Sequence, residues 1–478
     1  MLIRVLRVAA AAAAMLVLAG LPSPVVSGVP GCASNGPLLR YVVLFAAGTP
    51  EQSATRTVRA ACGISTAYYP QIGVGAATSA EPRFAARFGL ARAYSAQAET
   101  LSNPRRAELA TPVVPLTAAR LPAAAQALSA DRSAEQWDME MIRAPQARAI
   151  NPGRAEVLVG VLDSGVDATH PDLAAALDPT RSAGCLSGKP DPSPAAWSPT
   201  TSVHGTHVAG TIAAAEDGRG ITGVAPGVRL ASVKVVDDDG FIYPEYAVCG
   251  VMWAARQQMR IANNSYSLDP WLLTCSNVPG QAVAHEAMRR AVEYATAQGV
   301  LSIAAAGNER TNLAHPEQDL RSPVNTPNPQ PRPVDQHCDV LPAELPGVVA
   351  VSAVGARRVK SEYSSYGVGV VAVTAPGGDR AQPAITGSSG CVLSAVPGGY
   401  DYTCGTSMAA PHASGVAALL ASVRQQATPH ELATLLREQA DPLPCPSAAH
   451  DPAAVCASGG FYGRGLVDAL AAVNAQQD

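Results

Sequence analysis

Four polar residues of this sequence stand where catalytic groups often occur. Asp163 and Asn308 each follow an apolar run of the kind that forms a buried strand, Asn308 after an intervening glycine. His204 opens a helical stretch of small residues, and Ser407 stands where an extended segment enters a helix. A serine hydroxyl needs a base to become a nucleophile, the base needs an anion to fix its tautomer, and a tetrahedral oxyanion needs preorganised donors. In this chain order, the four residues form a complete set for acyl transfer.

Each of these residues taken alone has a simpler interpretation. A strand-end Asp is usually a turn or cap residue, an Asn after Gly a turn residue, and a Ser at a helix start an N-cap. His204 and His207 could be half of a metal site, but no nearby Cys or Glu completes the ligands. The order Asp, His, Ser excludes an α/β-hydrolase, and the sequence around Ser407 is not G-x-S-x-G. The combination therefore favours catalysis over four unrelated structural roles.

The elements that must position these residues alternate along the C-terminal two thirds of the chain. Apolar runs predict strands at 157–162, 230–236, 261–262, 300–306, 348–354 and 369–373. Helical patterns lie at 205–214, 246–259, 281–298, 407–423 and 429–440, the last with Thr428 as its cap. Continuous apolar strands alternating with helices predict an α/β fold with a doubly wound, mainly parallel sheet and helices on both faces. In such a sheet, functional side chains gather at the carboxyl ends of the strands.

The N-terminal region predicts a targeting signal, a small folded unit and a linker. Residues 1–28 combine an early basic pair with an apolar run, as in a secretory signal peptide. Residues 33–95 predict an α+β unit, with strands at 39–45 and 67–77 and helices at 49–60 and 81–88. The Ala/Pro/Ser/Arg-rich stretch 96–136 has little periodicity and predicts a linker exposed to proteolysis. We expect residues 137–478 to form the catalytic domain.

Composition and charge limit the remaining functions. Of the 478 residues, 47% are hydrophobic and 15% charged, which excludes a disordered chain, and the net charge of −4 gives no support for nucleic-acid binding. No stretch after the signal is long and apolar enough to span a membrane, so we expect no anchor in the mature protein. Ten cysteines, an even number in an exported chain, predict disulfides. We predict the pairs Cys391–Cys404, Cys445–Cys456 and Cys32–Cys62, with the other four cysteines paired among themselves.

These motifs strongly resemble those of the subtilisin-like serine peptidases, the subtilases (peptidase S8). The resemblance covers about Trp137 to Val473. It rests on Asp163-Ser-Gly-Val-Asp, His204-Gly-Thr-His-Val-Ala-Gly, Ala306-Gly-Asn308 and Gly405-Thr-Ser407-Met-Ala-Ala-Pro. It implies a secreted serine endopeptidase in which Asp163 orients His204, His204 acts as general base and then acid, and Ser407 is the nucleophile. It also implies that Asn308 and the backbone N–H of Ser407 bind the oxyanion.

The resemblance extends to the residues that would bind substrate. It assigns this role to Ser265, Tyr266, Ser267, Ala305 and Gly307. The first three match the family strand that pairs with an extended substrate and walls its primary pocket. The family usually has Gly where Ser267 stands, so we expect a narrowed or reshaped pocket. Leu341–Pro342 matches a position beside that pocket where the family often has a cis peptide bond.

The N-terminal unit and a calcium site are further implications of the resemblance. Residues 38–90 resemble the inhibitory propeptide of the family, with Tyr69-Pro-Gln-Ile-Gly-Val as the most recognisable piece. We therefore expect a zymogen that cuts itself between Ala91 and Gln136. The chemistry requires no cofactor, but the resemblance implies a structural Ca²⁺. Its ligands would be Asp172, Asp217 and the carbonyl groups of Ala215, Arg219 and Ile221, and the alternative is a plain Asp-Gly turn at 217–218.

Two other functions are alternatives to an active secreted peptidase. A subtilase-fold protein without activity could act as a binder, although all four polar roles are filled here. A maturation protease of a secretion system would carry a C-terminal membrane span, whereas residues 465–473 form a short amphipathic stretch. For the peptidase we expect protein or peptide substrates, its own propeptide as inhibitor, no nucleic-acid partner and a monomeric state.

Overall fold

A seven-stranded sheet forms the centre of the larger part of the molecule. The computed structural model describes residues 31–101, 130–322, 331–382, 389–445 and 453–475. The strands are β1 Leu39–Leu44, β2 Ile64–Tyr69, β3 Val74–Ser79, β4 Ala93–Tyr94, β5 Leu158–Asp163, β6 Ala183–Gly184, β7 Arg229–Lys234, β8 Ile261–Asn264, β9 Thr274–Cys275, β10 Leu301–Ala305, β11 Gln318–Asp319, β12 Arg332–Pro333, β13 Cys338–Asp339, β14 Val349–Val354, β15 Val371–Pro376, β16 Val392–Val396 and β17 Gly399–Thr403. The helices are α1 Glu51–Ala60, α2 Phe84–Phe88, α3 Ala96–Leu101, α4 Trp137–Met141, α5 Ala144–Ile150, α6 Pro194–Trp197, α7 His204–Ala213, α8 Pro244–Arg256, α9 Gln281–Ala297, α10 Thr406–Val423, α11 Pro429–Glu438, α12 Ala453–Ala457 and α13 Ala469–Asn474.

The large sheet has the strand order β15-β14-β10-β8-β5-β7-β6, and its described pairs are parallel. Its strands are almost entirely buried because helices cover both faces: α7 and α10 pack in one hydrophobic core, and α8 and α9 in the other. The predicted doubly wound α/β fold is therefore confirmed. The chain moves from one side of β5 to the other between β7 and β8, which places the carboxyl ends of β10, β8 and β5 next to one another.

The N-terminal unit is a four-stranded antiparallel sheet in the order β2-β3-β1-β4. Successive side chains of a strand point to opposite faces. Tyr41 therefore packs with Phe84 in the unit's own core, whereas Val42 and Val74 pack in the core that contains α8 and α9. One face of this small sheet is thus covered by the larger part of the molecule.

The prediction of a single strand over 67–77 is wrong. The chain turns after Tyr69 and forms two antiparallel strands, β2 and β3. Pro70 has no N–H for a strand ladder, and Gly73 has a φ of +62°, a left-handed conformation that glycine adopts without strain. The N–H of Gly73 donates to the carbonyl of Pro70 at 3.3 Å, which closes the turn. Small and apolar residues on both sides of the turn made the pattern look continuous.

Part of the predicted N-terminal organisation lies outside the described residues. This applies to the signal peptide, 1–28, and to residues 102–129 of the predicted linker. At the start of that linker, α3 continues the N-terminal unit, and near its end the N–H of Arg132 donates to the carbonyl of Gly220 at 2.7 Å. Within the described ranges, no helix has both the length and the apolar character that a membrane crossing requires.

The ten cysteines form five disulfides. The predicted pairs Cys32–Cys62, Cys391–Cys404 and Cys445–Cys456 are confirmed. The other four pair among themselves, as predicted, in the combinations Cys185–Cys249 and Cys275–Cys338. The Cys391–Cys404 bond joins the two ends of the β16–β17 hairpin directly before α10, so it closes the loop that leads to Ser407.

Candidate active site

Asp163 and His204 meet at the carboxyl end of β5. Asp163 is the last residue of that strand, and His204 is the first residue of α7. The Nδ1 atom of His204 lies 2.8 Å and 3.0 Å from the two carboxylate oxygens of the buried Asp163. Burial alone would lower the pKa of His204, but the charge of Asp163 and its hydrogen bond raise that pKa above the ordinary value. Because the carboxylate accepts the Nδ1 proton, the neutral ring presents an unprotonated Nε2.

His204 differs from the neighbouring buried histidines in its Nε2 atom. That atom has no hydrogen-bond partner in the described part of the chain. In His207, Nε2 faces two backbone carbonyl oxygens of the segment 392–401 at 3.2 Å, and burial lowers its pKa to about 3. In His170, Nε2 faces the carbonyl oxygen of Gly399 at 3.0 Å. Of these three Nε2 atoms, only that of His204 is free to take a proton from a reacting group.

Ser407 is the second residue of α10, an 18-residue helix. The first N–H groups of a helix lack intrahelical partners and favour negative charge. Pro411 cannot donate to the carbonyl of Ser407, but the Ser265 hydroxyl does so at 2.9 Å. The Ser407 hydroxyl in turn donates to the carbonyl of Ser265 at 3.2 Å rather than to His204. Catalytic hydrogen bonds often tighten only when substrate binds, so this geometry is compatible with a resting nucleophile.

Asn308 follows β10, and Thr406 orients its side chain. The Oδ1 atom of Asn308 accepts the backbone N–H and the hydroxyl of Thr406, both at 2.9 Å. The amide Nδ2 has no partner among the described residues, so its protons stay available. The position that a Cβ on Gly405 would occupy is 3.6 Å from the backbone N of Ser407 and 3.7 Å from this Nδ2. Both donor nitrogens therefore lie within 4 Å of one point beside Gly405, close enough for the two groups to serve the same oxyanion.

The residues predicted to bind substrate lie at the ends of two adjacent strands. Ser265, Tyr266 and Ser267 continue β8, while Ala305 ends β10 and Gly307 follows it. Because β8 and β10 pair in parallel, the two segments leave the sheet side by side. Tyr266 is buried and donates its hydroxyl to Asn264 at 3.0 Å, whereas Ser267 is half-buried. The peptide bond Leu341–Pro342 is cis, as the resemblance to the family implied.

The residues predicted to bind calcium have other partners. The Tyr400 hydroxyl lies 3.0 Å and 3.1 Å from the two carboxylate oxygens of Asp172, between which its one hydrogen is shared, and Oδ2 also accepts the N–H of Ile221 at 3.1 Å. Asp217 accepts the N–H of Arg219 within its own turn. In this structure both carboxylates therefore accept hydrogen bonds from donors of the protein itself. The described part of the chain has no cluster of three or more His, Cys, Asp or Glu that could hold a metal ion.

A cation of the protein itself lies beside this loop. The Arg132 guanidinium is 5.6 Å from the ring centre of Tyr400 and 5.9 Å from that of Tyr402. It also forms two 2.7 Å hydrogen bonds with Glu135, which lower the pKa of Glu135 to about 2. The residues leading into α4 are thereby tied both to the predicted calcium loop and to the β16–β17 hairpin.

Sequence reasoning did not anticipate two features near Ser407. One is the reciprocal bonding of Ser265 and Ser407, because nothing in the sequence shows that these residues meet. The other is a buried pair of Asp138 and His412. His412 directly follows Pro411 in the Ser407 motif, which was an available signal, whereas no pattern marks Asp138.

Comparison with known proteins gives consistent matches. The sequence profile of the Subtilase family matches residues 154–463. Fervidolysin from Fervidobacterium pennivorans is 32% identical over 326 residues, which are 64% of this chain and 40% of fervidolysin. Subtilisin from Bacillus pumilus is 30% identical over 341 residues, 70% of this chain and 98% of that protein. The solved structure of the epidermin leader peptide processing serine protease from Staphylococcus aureus has a TM-score of 0.65 at 20% identity, covering 93% of this chain and 100% of that one, a likeness of fold alone.

Proposed function

Because the chain belongs to the subtilase family, whose members are serine endopeptidases that need no cofactor for catalysis, we propose that it hydrolyses peptide bonds through an acyl-enzyme on Ser407. In this proposal His204 is the general base and then the general acid, and Asp163 orients it. The observation that carries the proposal is the 2.8 Å hydrogen bond between Asp163 and Nδ1 of His204, because it leaves Nε2 unprotonated and without another partner. Asn308 and the backbone N–H of Ser407 bind the oxyanion.

The reaction consists of two acyl transfers. The Ser407 Oγ attacks the scissile carbonyl carbon while its proton passes to Nε2 of His204, and Asp163 stabilises the imidazolium. The carbonyl oxygen becomes an oxyanion that accepts hydrogen bonds from Asn308 Nδ2 and the Ser407 N–H. The carbon–nitrogen bond breaks as His204 gives the proton to the leaving amine. Water then attacks the acyl-enzyme by the same route and restores the Ser407 hydroxyl.

A protein or peptide substrate would bind in extended form beside the end of β8. Residues Ser265–Ser267 would pair with its backbone, and Ala305 and Gly307 would form the facing wall. The side chain of Ser267, where the family usually has glycine, would narrow the primary pocket. We expect cleavage to require a smaller side chain before the scissile bond than a glycine-lined pocket would accept.

We further propose that the protein is a secreted, monomeric zymogen. In this organisation 1–28 is the signal peptide, 33–95 the inhibitory propeptide, 96–136 the linker and 137–478 the catalytic domain. The contacts of the N-terminal unit with the larger part support it: Arg290 donates to the carbonyls of Phe45 at 2.7 Å and Ile72 at 3.1 Å, and the Tyr69 hydroxyl donates to the carbonyl of Gly188 at 3.0 Å. The five disulfides support export, because such bonds persist in oxidising compartments.

The test compares the wild-type precursor with Ser407→Ala. A fluorophosphonate, which needs an activated serine, should label the wild type and the control Ser187→Ala, an exposed loop serine, but not Ser407→Ala. Purified Ser407→Ala should keep its full length less the signal, while the wild type converts to a smaller form that begins before Trp137. Conversion of Ser407→Ala at the wild-type rate would refute self-processing. A wild type that the probe does not label would favour the inactive binding protein.

A further inference from the structure

A second pair of aspartate and histidine lies between α4 and α10, and the proposed chemistry does not use it. The Oδ2 atom of Asp138 is 2.9 Å from Nε2 of His412, and both side chains are 0% exposed. Nδ1 of His412 lies 2.7 Å from the carbonyl oxygen of Met408, one turn earlier in α10. Both ring nitrogens are therefore engaged, so His412 cannot serve a substrate as a base.

Hydrogen-bond chemistry determines how this pair is protonated. A carbonyl oxygen only accepts, so Nδ1 of His412 carries a proton. A second proton lies between Nε2 and Asp138, because two lone pairs would otherwise face each other in the interior. The other carboxylate oxygen of Asp138 is buried and has no hydrogen-bond partner among the described residues. Each residue is thus the main polar partner of the other, and removing one leaves the other unpaired in the core.

The pair connects the first helix of the catalytic region to the helix that carries Ser407. Asp138 belongs to α4, and His412 lies five residues after Ser407. Trp137, the residue before Asp138, contacts the chain on the other side of Ser407. Its Nε1 donates at 3.1 Å to the carbonyl of Cys391, and the disulfide partner of Cys391 is Cys404, three residues before Ser407. Two consecutive residues of α4 therefore hold the chain on both sides of Ser407.

The sequence of α10 explains why such contacts matter. The side chains of this helix are mostly small and apolar, so its hydrophobic contacts are non-directional. Hydrogen bonds to other parts of the chain are directional and add to packing in defining where the helix lies. Besides the Asp138–His412 contact, they include the bond from Ser265 to Ser407, the bonds from Thr406 to Asn308 and the bond from the Ser414 hydroxyl to Asn263 at 2.9 Å.

We propose that Asp138 and His412 are positioning residues, which hold α10 so that Ser407 is aligned with His204 and Asn308. The inference rests on the proposed function and extends it to two residues that touch no reacting atom. A displacement of about 1 Å in a reacting group can cost about 10²-fold in rate. Neither residue belongs to the substrate segments, so loss of the pair should lower kcat and leave KM nearly unchanged.

The experiment measures kcat and KM for Asp138→Ala and Asp138→Asn with a peptide substrate, per mole of folded enzyme. Asp138→Ala should lower kcat about 10–100-fold, with KM changed by less than about 2-fold. Asp138→Asn should restore most of kcat, because its amide has the same shape and can donate to Nε2 of His412. The matched control is Leu436→Ala, which removes a side chain that is 2% exposed in α11. It should lower the thermal midpoint without changing kcat.

Several outcomes separate this inference from the proposed function. An inactive wild type would overturn the proposed function and this inference with it. An active wild type together with unchanged kcat in Asp138→Ala would overturn this inference alone, as would an equal loss of kcat in Leu436→Ala. If Asp138→Ala does not fold, the second variant is His412→Gln. The glutamine amide can donate to Asp138 or to the carbonyl of Met408, but not to both at once. This variant should lower kcat more than Leu436→Ala, and an equal effect would overturn the inference.

Discussion

Glu245 gives a quantitative prediction of how stability depends on pH. It is the second residue of α8, it is 3% exposed, and both its carboxylate oxygens are buried without a hydrogen-bond partner in the described chain. It lies where the N-terminal unit packs, because a Cβ on Gly188 would be 2.6 Å from Ala76 and 3.5 Å from the Cβ of Glu245. Burial raises the pKa of Glu245 to about 7, although Arg40 opposes the change.

The sign and size of the effect follow from the two pKa values. The folded-state pKa of about 7 lies above the ordinary value of 4.5, so the folded chain favours the protonated carboxyl. The stability that this group contributes is fully present below about pH 4.5 and is lost as the pH rises to about 7. At about 1.4 kcal/mol for each unit of pKa difference, the loss amounts to about 3 kcal/mol.

The assay is urea unfolding of the full chain in a Ser407→Ala background, which prevents self-digestion. Glu245→Gln keeps the neutral form at every pH. The unfolding free energy of this variant minus that of its parent should therefore rise by about 3 kcal/mol from about pH 4.5 to about pH 8. Asp269, whose pKa burial raises to about 8, titrates in both proteins and cancels in the difference. The control is Glu438→Gln on the exposed side of α11, whose unfolding free energy should change with pH in the same way as that of its parent. If the unfolding free energy of Glu245→Gln also changes with pH in the same way as that of its parent, the reasoning is refuted.

Four further predictions concern the site and its support. Asn308→Ala should fold but lose about 10²–10³ in kcat, a magnitude known for such a donor in subtilisin itself; normal turnover would make Asn308 a turn residue only. The raised pKa of His204 means that kcat/KM should fall on the acid side with an apparent pKa above 6.5, because the protonated ring cannot act as a base. An apparent pKa below 6.5 in the pH profile of kcat/KM would contradict this. Replacing both Cys391 and Cys404 with Ser should lower the unfolding free energy by about 3 kcal/mol in urea titrations, the chain-entropy value for a short loop. Arg132→Ala should lower the thermal midpoint of unfolding, because its guanidinium contacts the rings of both Tyr400 and Tyr402. A calcium chelator should leave the wild-type midpoint unchanged. An unchanged midpoint in Arg132→Ala, together with a lower wild-type midpoint in the presence of chelator, would support a calcium site.

Local sequence determined the sheet and the positions of the candidate catalytic residues. The run Val157–Leu162 has no polar side chain, which indicates a strand buried on both faces, so the residue that follows it belongs to the carboxyl edge of a parallel sheet. That argument predicted that Asp163 and Asn308 lie at strand ends and that His204 and Ser407 stand at helix starts. The apolar pattern did not predict the two hairpin strands on either side of Pro70. It continues through this position, whereas the strand hydrogen bonds stop there because proline has no N–H.

Only the tertiary structure decided how the polar groups are shared. Asp172 has the chemistry of a calcium ligand, but its oxygens accept donors from Ile221 and from Tyr400, which is 228 residues away in the chain. Asp138 and His412 are 274 residues apart, and no local pattern relates them. A carboxylate has few lone-pair directions, and the donor that fills them is whichever group the fold brings within about 3 Å. That competition depends on distances between remote segments, which the order of residues along the chain does not contain.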